Sequence, residues 1–416
     1  MAGENWPLVP LGELTENLDG RRVPVKENER KPGPYPYYGA SGIVDQVDGY
    51  LFDGEYLLIG EDGENLRTRQ TPIAFMATGK FWVNNHAHIV RGNHRADTRF
   101  LSYVLSQTEI SGYLTGSTMP KLTQGNLNRL PVIAPPLAEQ KAIAAVLGAL
   151  DDKIELNRRM NATLEAMARA LFQSWFVDFE PVRAKLDGRT PAALDPATAA
   201  LFPDAFQETL QGHIPMGWRL SRITDCCERI HSGGTPRRDE PEYWNDATIP
   251  WLTSGEVRQP MITATENFIS GLGLKDSSAK WVPANSTVVA LYGATAGQVS
   301  FLGSRATTNQ AVCSLIPKPQ FEYFNYFMMR SATAEMEKKA VGSAQQNISK
   351  GIIEETSVVL PSTEVLARFN LAVGPLFENW ISSIKQSGTL ATIRDTLLPK
   401  LLSGELSLNA AIKGAS

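Results

Sequence analysis

An internal repeat constrains this chain more than any other feature of its sequence. Residues 116–135 read GSTMPKLTQGNLNRLPVIAP, and residues 342–361 read GSAQQNISKGIIEETSVVLP. Both segments open with Gly-Ser and close with a proline, so position 116 corresponds to position 342. A looser match, at a similar offset, relates VNNHAHIV (83–90) to TTNQAVCSL (307–315). Repeats at a fixed spacing indicate duplicated structural units, so we expect two divergent copies of one unit.

A long apolar seam follows the matched segment in each copy, at the same offset. Its residues alternate at spacings of four and three, the pattern of helices that pack along a stripe. The rungs are Ile143, Leu147, Leu150, Ile154, Leu164, Ala168, Leu171 and Trp175 in the first copy, and Phe369, Val373, Leu376, Trp380, Leu390, Arg394, Leu397 and Leu401 in the second. We therefore expect two long helices that pair with each other. Gly148 and Gly374–Pro375 predict a break in each helix, because an interior proline removes a backbone hydrogen bond.

Two polar rungs interrupt the centre of each seam. Asn157 and Asn161 occupy them in the first copy, and Ser383 and Ser387 occupy the matching positions in the second. If the helices run antiparallel and in register, Asn157 faces the neighbourhood of Ser387. In the same arrangement Asn161 faces the neighbourhood of Ser383. A buried polar rung lowers stability but fixes the register of a helix pair, so we expect these rungs to set the slide of one helix on the other.

The segments that precede the seams have the pattern of β structure. Short apolar or alternating runs between Gly, Asp and Asn turns predict strands. They include YLLIG (56–60), IAFMA (73–77), TVVALYG (287–293) and VSFLG (299–303). Each copy also has one aromatic helical stretch, at 99–107 and 321–339. The predicted fold class is α+β, with two mainly β or mixed domains separated by two long helices in a pseudo-twofold repeat.

The same pattern divides the chain into five segments. The first globular domain covers 1–135, the first helix 136–178, a linker 179–216, the second globular domain 217–361 and the second helix 362–416. The linker is rich in Pro, Ala and Gly, so we expect it to lie on the surface with at most short helices.

Composition narrows the class of protein. Hydrophobic residues make up 43% and charged residues 20% of the chain, as in a globular protein. It has no run of about 18 apolar residues, and its N-terminus does not read as a secretory signal, so we expect a cytoplasmic protein. The three cysteines, Cys226, Cys227 and Cys313, are then expected to be reduced. Their spacing does not fit zinc, and we predict no metal site.

The central part of the chain resembles a known family. Residues 135–179 read PPLAEQKAIAAVLGALDDKIELNRRMNATLEAMARALFQSWFVDF. This segment is similar to the central shared region of the specificity subunits of type I restriction–modification systems. PYYGASGIVD (36–45), SGGTP (232–236) and LLPKLLSGEL (397–406) support the resemblance, which extends over essentially the whole chain. The second helix departs from the pattern, because TEVLARF (363–369) stands where the first copy has its Glu-Gln pair.

The resemblance implies a division of labour. Each globular unit is expected to be a target recognition domain that reads one half of a split double-stranded DNA site. The two helices are expected to form an antiparallel coiled coil on which two methyltransferase subunits dock, with nuclease/translocase subunits joining for cleavage. The chain itself is then non-catalytic and binds no cofactor. S-adenosylmethionine belongs to the methyltransferase, and ATP and Mg²⁺ belong to the nuclease/translocase.

The helices predict a fixed separation between the two readers. A helix from 149 to about 177 spans about 43 Å at ~1.5 Å per residue. That length matches about 13 base pairs at ~3.4 Å each. We expect a spacer whose bases are not read and whose length follows the helix length. Because the loops of the two copies have diverged, we expect two different half-sites.

Candidate DNA-reading residues lie in the polar loops. Arg and Lys suit guanine, and Asn and Gln suit adenine. The candidates are Tyr38, Ser41, Lys80, Asn84, Asn85, Ser117, Lys121 and Gln124 in the first copy, and Ser232, Thr235, Arg237, Arg238, Tyr292, Thr295, Gln298, Asn309, Gln310, Ser343, Gln345, Gln346, Asn347 and Lys350 in the second.

Structural alternatives stand beside these readings. The segment GSAQQNISK (342–350) also fits a polar loop that caps the next element, and Arg237 and Arg238 also fit a solvated face. His86 and His88 alternate along a predicted strand and are expected to be structural. GEDGEN (60–65) lacks the spacing of a calcium loop and is interpreted as an acidic turn.

Two other functions remain as alternatives. A stand-alone methyltransferase or nuclease would need its own catalytic centre. The chain has no Asn-Pro-Pro-aromatic or Asp-Pro-Pro-aromatic loop and no phosphate-binding GxxxxGK[ST] motif. An anti-restriction scaffold that mimics DNA is expected to be far more acidic than the net charge of −4. That same charge suggests that a partner supplies part of any electrostatic grip on DNA.

Overall fold

The computed structural model describes residues 6–210, 212–339 and 347–406. The chain divides into two compact units. The first unit comprises Met1–Glu155 with Ser387–Ser416, and the second unit comprises Leu156–Gln386. Each unit therefore contains one half of each of two long helices, whose bounds are given below.

The first unit is built on one mixed sheet. Its strands are β1 (Leu8–Pro10), β2 (Thr15–Asn17), β3 (Pro32–Gly39), β4 (Gly42–Val47), β5 (Phe52–Gly60), β6 (Ala74–Val83), β7 (Ala87–Gly92) and β8 (Pro131–Ile133). Its helices are α1 (Leu11–Leu14), α2 (Asn65–Thr68), α3 (Thr98–Gln107), α4 (Gln124–Arg129) and the first half of α5 (Leu137–Phe172), with 3₁₀ turns at Asp19–Arg21, Glu27–Glu29 and Ser111–Tyr113. The sheet order is β2-β7-β5-β6-β3-β4, and β1 pairs separately with β8.

Strand β5 is buried on both faces of this sheet. Leu57 and Ile59 point to the core that contains α3, while Tyr56 and Leu58 point to the opposite core, as the period of two requires. The aromatic helix predicted at 99–107 is α3, and the side chain of Asp97 caps it by accepting a hydrogen bond from the backbone N–H of Phe100.

Both long helices pack against α3 in the first unit. Ile143 and Leu147 of α5 share its core with Leu398 and Leu401 of α11 (Thr363–Leu402). The rung at Arg394 is ionic, since its guanidinium lies 2.7 Å from the carboxylate of Asp151. Asp151 also accepts a 2.5 Å hydrogen bond from the hydroxyl of Tyr103 on α3. Burial and this carboxylate raise the pKa of Tyr103 above its ordinary value.

The second unit contains two sheets and two further strand pairs. Its strands are β9 (Phe206–Thr209), β10 (Gly212–Pro215), β11 (Arg219–Arg222), β12 (Cys227–Ser232), β13 (Ile249–Leu252), β14 (Met261–Ile262), β15 (Asn267–Ile269), β16 (Trp281–Val282), β17 (Ser286–Ala290), β18 (Val299–Leu302), β19 (Ala306–Thr308), β20 (Val312–Pro317) and β21 (Ser357–Leu360). The sheet orders are β12-β20-β17-β18-β14 and β15-β13-β19-β16, while β9 pairs with β10 and β11 with β21.

The helices of the second unit include the predicted aromatic helix. They are α6 (Glu180–Leu186), α7 (Pro196–Ala200), α8 (Gly271–Lys275), α9 (Glu322–Lys339), α10 (Lys350–Glu354), the second half of α5, which ends in a π-helical turn at Gln173–Val177, and the first half of α11, with 3₁₀ turns at Ile223–Cys226, Pro241–Tyr243, Ser254–Arg258 and Gly293–Thr295. Helix α9 corresponds to the stretch 321–339. Its Phe324 packs edge-to-face on Phe176 of the π-helical turn, and Phe369 of α11 also lies against Phe176.

The contacts make the helix pair antiparallel. In the second unit, Phe172, late in α5, packs on Phe369, early in α11. Asn157, near the start of the part of α5 that lies in the second unit, contacts Ser383, near the end of the part of α11 that lies in that unit. The predicted α+β class, with two mixed β domains and two long helices packed together, is confirmed. Among the described residues, no helix is both long enough and apolar enough to cross a membrane.

The predicted helix breaks are wrong. Helices α5 and α11 run without interruption through Gly148 and Pro375. The carbonyl that loses its partner at Pro375 belongs to Leu371, four residues earlier, and 67% of Leu371 is exposed, so water can hydrate that carbonyl. Gly148 allows the guanidinium of Arg99 to pack closely against α5, because a Cβ at this position would lie 2.8 Å from that guanidinium.

Residues 179–216, interpreted above as a surface linker, pack into the second unit. The segment forms the two short helices α6 and α7 and the hairpin β9–β10. Phe179, Val182, Phe202 and Ile214 are buried in the same aromatic core as Phe172. The Pro and Ala content of the segment suggests a linker, but the burial of these four apolar side chains holds the segment against the core.

Candidate nucleic-acid interface

Three loop segments meet at one end of the sheet in the first unit. The backbone N–H of Glu61, just after β5, donates to the carbonyl of His86, just before β7, at 2.8 Å. The N–H of Leu122 donates to the carbonyl of Glu61, also at 2.8 Å. The N–H of Asn84 donates to the carbonyl of Tyr38 at 3.0 Å, which adds the end of β3. The sheet thus brings together loops that are far apart in sequence.

The second unit repeats this backbone frame. The N–H of Leu291, just after β17, donates to the carbonyl of Ala311 at 2.8 Å, and Ile348 donates to Leu291 at 2.9 Å. Asn309 donates to the carbonyl of Leu252 at 2.9 Å. The same three connections are therefore made by corresponding segments of both copies.

An asparagine turn fixes the correspondence between the copies. The side-chain oxygen of Asn84 accepts from the N–H of His86 at 2.8 Å, and that of Asn309 accepts from the N–H of Ala311 at 3.0 Å. Asn84 thus corresponds to Asn309, which shifts the alignment read from the sequence by one position. Each of these amide oxygens shapes its own loop, whereas the following side chains, Asn85 and Gln310, are exposed.

The frame is shared but its exposed side chains differ. Two isolated bridges occupy the same place, Asp62 with Lys121 in the first unit and Tyr292 with Asn347 in the second. We call the side chains at the surface of this frame the variable edge of each unit. They are the half-buried Asp62 and the exposed Asn85, His86 and Lys121 in the first unit, and the exposed Tyr292, Gln310 and Asn347 in the second. Two edges with one backbone and different hydrogen-bonding groups are suited to reading two different sequences.

An ionic network lies under the variable edge of the first unit. Nδ1 of His88 is 2.5 Å from a carboxylate oxygen of Asp19, and its Nε2 is 2.7 Å from the carbonyl of Leu122. Glu61 receives Arg22 at 2.7 Å and the ammonium of Lys121 at 3.1 Å. The candidate Lys121 is therefore held by Glu61 at the surface.

The network shifts the pKa of both carboxyl groups. Burial raises the pKa of Asp19, but the hydrogen bond and charge of His88, the N–H of Ile89 and the charge of Arg22 together outweigh it, so the pKa lies below its ordinary value. Burial also raises the pKa of Glu61. Interactions with neighbouring cations, of which the hydrogen bond from Arg22 is the largest, lower that pKa below its ordinary value. Both groups are therefore held as carboxylates.

The same network decides whether this cluster suits a metal ion. Ligand atoms of Asp19, Glu61 and His88 lie within 4.8 Å of one another, close enough to surround a cation. Arg22 and Lys121 already supply two positive groups to these carboxylates. In the second unit, the strand pairing puts Cys313 at the position that His88 occupies in the first unit. A structural role in the first unit accounts for the cluster.

Other predicted residues of the first unit lie at varying distances from the edge. Lys80 pairs across β5–β6 with Asp53, at the far end of β5 from Gly60, and its ammonium lies over the ring of Tyr50. Seven residues of strand correspond to about 23 Å, which removes Lys80 from the edge. The ring of Tyr38 packs against Phe81. Ser41 and Ser117 are exposed on loops, and Gln124 is exposed at the first position of α4.

Most predicted residues of the second unit cluster around its edge. The hydroxyl of Thr235 donates to the side chain of Gln310, and that of Thr295 donates to the carbonyl of Ser254. Ser232 pairs with Cys313, and Gln298 is exposed after the turn that contains Thr295. Lys350 forms an ion pair with Glu354. Ser343, Gln345 and Gln346 lie outside the described residues.

Arg237 and Arg238 have contrasting environments. The guanidinium of Arg237 pairs with Asp239 at 2.9 Å and with Glu240 at 3.4 Å. The guanidinium of Arg238 lies over the rings of Trp244, at 4.3 Å, and Trp251, at 5.3 Å. Sequence reasoning treated the two arginines alike, because the tryptophans approach the loop only through the fold.

The polar rung at Asn157 has partners that the seam pattern did not indicate. Asn157 is fully buried, and its amide nitrogen donates to the side-chain oxygen of Gln386 at 2.8 Å and to the backbone carbonyl of Ser383 at 3.4 Å. The seam pattern places it in the neighbourhood of Ser387, and Gln386 is the residue directly before Ser387. Gln386 lies beside the seam, so a rung-to-rung comparison misses it.

The three cysteines lie in the aromatic core of the second unit. Burial raises the pKa of Cys226, Cys227 and Cys313 to about 12 in each case. Because only the thiolate reacts, we expect a thiol reagent at pH 8 to label none of them in the native chain and all three after denaturation. Rapid labelling of the native chain at equal stoichiometry would contradict this assignment.

Comparisons with known proteins agree with the two-copy architecture. A family model described as the type I restriction modification DNA specificity domain matches residues 3–166 and 215–365. The HindI specificity subunit of Haemophilus influenzae is 29% identical over 405 residues, covering 85% of this chain and 84% of that protein. The MjaIX specificity subunit of Methanocaldococcus jannaschii is 26% identical over 424 residues, covering 97% and 94%. A solved S subunit from M. genitalium has a similar fold, with a TM-score of 0.61 at 15% identity over 95% of this chain and 96% of that one.

Proposed function

Because the chain belongs to the family defined by the type I restriction modification DNA specificity domain, we propose that it is the sequence-recognition subunit of a restriction–modification complex. Each unit reads one half of an asymmetric, bipartite double-stranded DNA site. The chain contributes recognition and no catalytic group of its own. The chemistry belongs to its partners.

One observation carries this proposal: both units have the same three-segment backbone frame, and each frame presents different side chains. Asp62, Asn85 and Lys121 occupy the first variable edge where Tyr292, Gln310 and Asn347 occupy the second. Donors and acceptors on exposed loops distinguish base pairs in the major groove. A duplicated frame with different readers accounts for two half-sites of different sequence.

Partners complete the proposed complex. A net charge of −4 leaves little bulk attraction for phosphates, so a large part of the grip on DNA comes from other subunits. We assign two methyltransferase subunits to the helix pair, with S-adenosylmethionine bound by them. Nuclease/translocase subunits join for cleavage and bring ATP and Mg²⁺.

The proposal is tested by titrating the purified chain with its methyltransferase subunit, S-adenosylmethionine and duplex DNA. Chain and methyltransferase together are expected to bind and methylate one bipartite sequence. The chain alone is expected to transfer no methyl group. Methylation by the chain alone would identify a stand-alone enzyme, and failure to bind DNA with the methyltransferase present would support a scaffold role instead.

We propose that the helix pair sets the length of the unread spacer, and that its polar rungs fix the register. In a variant with Asn157 and Asn161 changed to leucine and Ser383 and Ser387 to alanine, we expect the free energy of unfolding to rise by about 1–2 kcal/mol. The exposed Gln386 can turn to water when it loses Asn157. Looser register should broaden the range of spacer lengths that are methylated.

The measurement compares methylation of duplexes whose spacers are one base pair shorter or longer. Ser382→Ala is the matched control, because Ser382 is an exposed serine on the same helix. A rung variant with the spacer preference of the wild-type chain would remove the register role from these residues.

A further inference from the structure

The cation–aromatic group at Arg238 is exposed and lies outside the hydrophobic core of the second unit. Trp251 is 1% exposed, and its indole N–H donates to the carbonyl of Gly234 at 3.0 Å. The indole N–H of Trp244 donates to the carbonyl of Arg237 at 2.9 Å. The two rings lie 5.3 Å apart in an edge-to-face arrangement. Both are thus anchored to the loop that carries Arg238.

The guanidinium of Arg238 rests on this platform with its charge uncompensated. It lies 4.3 Å from the centre of Trp244 and 5.3 Å from that of Trp251, and Arg238 is exposed. Within 6–210, 212–339 and 347–406, no carboxylate is within ion-pairing distance of it. Stacking on aromatic faces fixes the plane of a guanidinium and leaves its N–H edge available for two parallel hydrogen bonds.

The neighbouring loop connects this group to the variable edge. Thr235 donates to Gln310, and the N–H of Gly234 donates to the carbonyl of Thr308 at 2.9 Å. Gly234 is required at that point, because a Cβ would lie 2.6 Å from the backbone carbonyl carbon of Ser278. Arg238 therefore extends the edge that carries Gln310.

The first unit has an equivalent group that is neutralised. The shared frame aligns Tyr37 with Trp251, since Asn84 bonds to Tyr38 and Asn309 bonds to Leu252. Arg30 lies 4.5 Å from the ring of Tyr37, but it also pairs with Asp45 at 3.1 Å and its side chain is only 18% exposed. The cation on the ring is an internal contact in one copy and an outward-facing group in the other.

We propose that Arg238 reads a guanine in the half-site of the second unit, through two hydrogen bonds to the O6 and N7 acceptors in the major groove. This inference rests on the proposed function. A planar, pre-positioned guanidinium with no carboxylate partner among the described residues fits that bidentate contact, which is the commonest specific contact to guanine. Arg237, which is paired with acidic neighbours, does not share the role.

The first experiment determines the methylated motif of the complex by methylation-sensitive sequencing. Arg238→Lys keeps the positive charge and removes the planar pair of N–H donors that makes two parallel hydrogen bonds. It is expected to reduce discrimination at one G·C pair by roughly 5- to 150-fold and to leave every other position unchanged. Arg305→Lys is the matched control, because the exposed guanidinium of Arg305 also lies over a tryptophan ring, that of Trp281, at 4.8 Å. It is expected to leave the motif intact. Exchange of residues 217–361 with a relative identifies which half-site belongs to the second unit.

The second experiment uses the wild-type chain, so it does not depend on how a variant folds. Each guanine of that half-site is replaced in turn by 7-deazaguanine, which lacks the N7 acceptor. One replacement is expected to weaken binding by the wild-type chain, because it removes an acceptor that Arg238 contacts in this proposal. A half-site without guanine, a half-site tolerant of every replacement, or an Arg238→Lys motif identical to the wild type overturns the proposal. Absence of any bipartite motif with the wild-type chain would instead refute the proposed function.

Discussion

Asp19→Ala is expected to lower the free energy of unfolding of the first unit by about 3–5 kcal/mol. The side chain of Asp19 is only 7% exposed, and its carboxylate receives Nδ1 of His88, the N–H of Ile89 and the guanidinium of Arg22. Alanine removes the acceptor of the Nδ1 of His88 and of the N–H of Ile89, while Arg22 keeps its pair with Glu61. The loss of one partner from a buried ionic network is far more costly than the loss of a surface pair.

Chemical denaturation followed by tryptophan fluorescence measures this effect. Glu16→Ala is the matched control, because Glu16 lies on the adjacent strand and pairs with Arg91 while both side chains are about half exposed. Removal of that surface pair is expected to cost about 0–1 kcal/mol. An Asp19→Ala loss no larger than the control would contradict the network as a source of stability.

The network also predicts the direction of the pH dependence. The folded-state pKa values of Asp19 and Glu61 lie below their ordinary values of 3.8 and 4.5. As the pH falls through those ordinary values, the unfolded chain takes up protons first, so the stabilising contribution is present above this range and is lost as the pH falls through the folded-state pKa values. The wild-type chain should therefore lose more stability below about pH 4.5 than Asp19→Ala does.

The two-copy, two-helix architecture could be predicted from the sequence because periodic patterns specify it. The constant offset between matched segments indicated two copies, and the four-three spacing indicated two helices whose rungs at Ile143, Leu147, Phe369 and Val373 are buried. Local rules about helix breakers failed where the environment compensates. Pro375 lies on an exposed helix face, and Gly148 makes room for Arg99.

The details of the candidate interface depend on pairing between distant segments. Asp19, Glu61, His88 and Lys121 meet only because β2, β5 and β7 are neighbours in the sheet and the 120–122 segment bonds to Glu61. The acidic turn predicted at 60–65 gave no sign that Glu61 holds Lys121. Similarly, Trp251 lies well beyond Arg238 along the chain, on β13, and only the fold brings its ring beneath that guanidinium.

Exchange of residues 1–135 with those of a relative is expected to replace one half-site completely. The residues of the first variable edge, from Asp62 to Lys121, lie inside that range, and those of the second edge lie inside 217–361. Each wrong base pair costs about 1–3 kcal/mol, so three or four changed positions abolish methylation of the original half-site. The donor segment should keep apolar residues equivalent to Phe100 and Val104, which share a core with Leu147 and Leu401.

The measurement is the methylated motif of the chimaera, determined with the same methyltransferase subunit, and the reciprocal exchange of 217–361 is its control. If each unit is an independent reader on a fixed helical frame, the exchange of 1–135 replaces one half-site with that of the donor and preserves both the spacer length and the other half-site. If both half-sites change together, or if neither changes, the central claim that two separate units read two separate sequences is wrong.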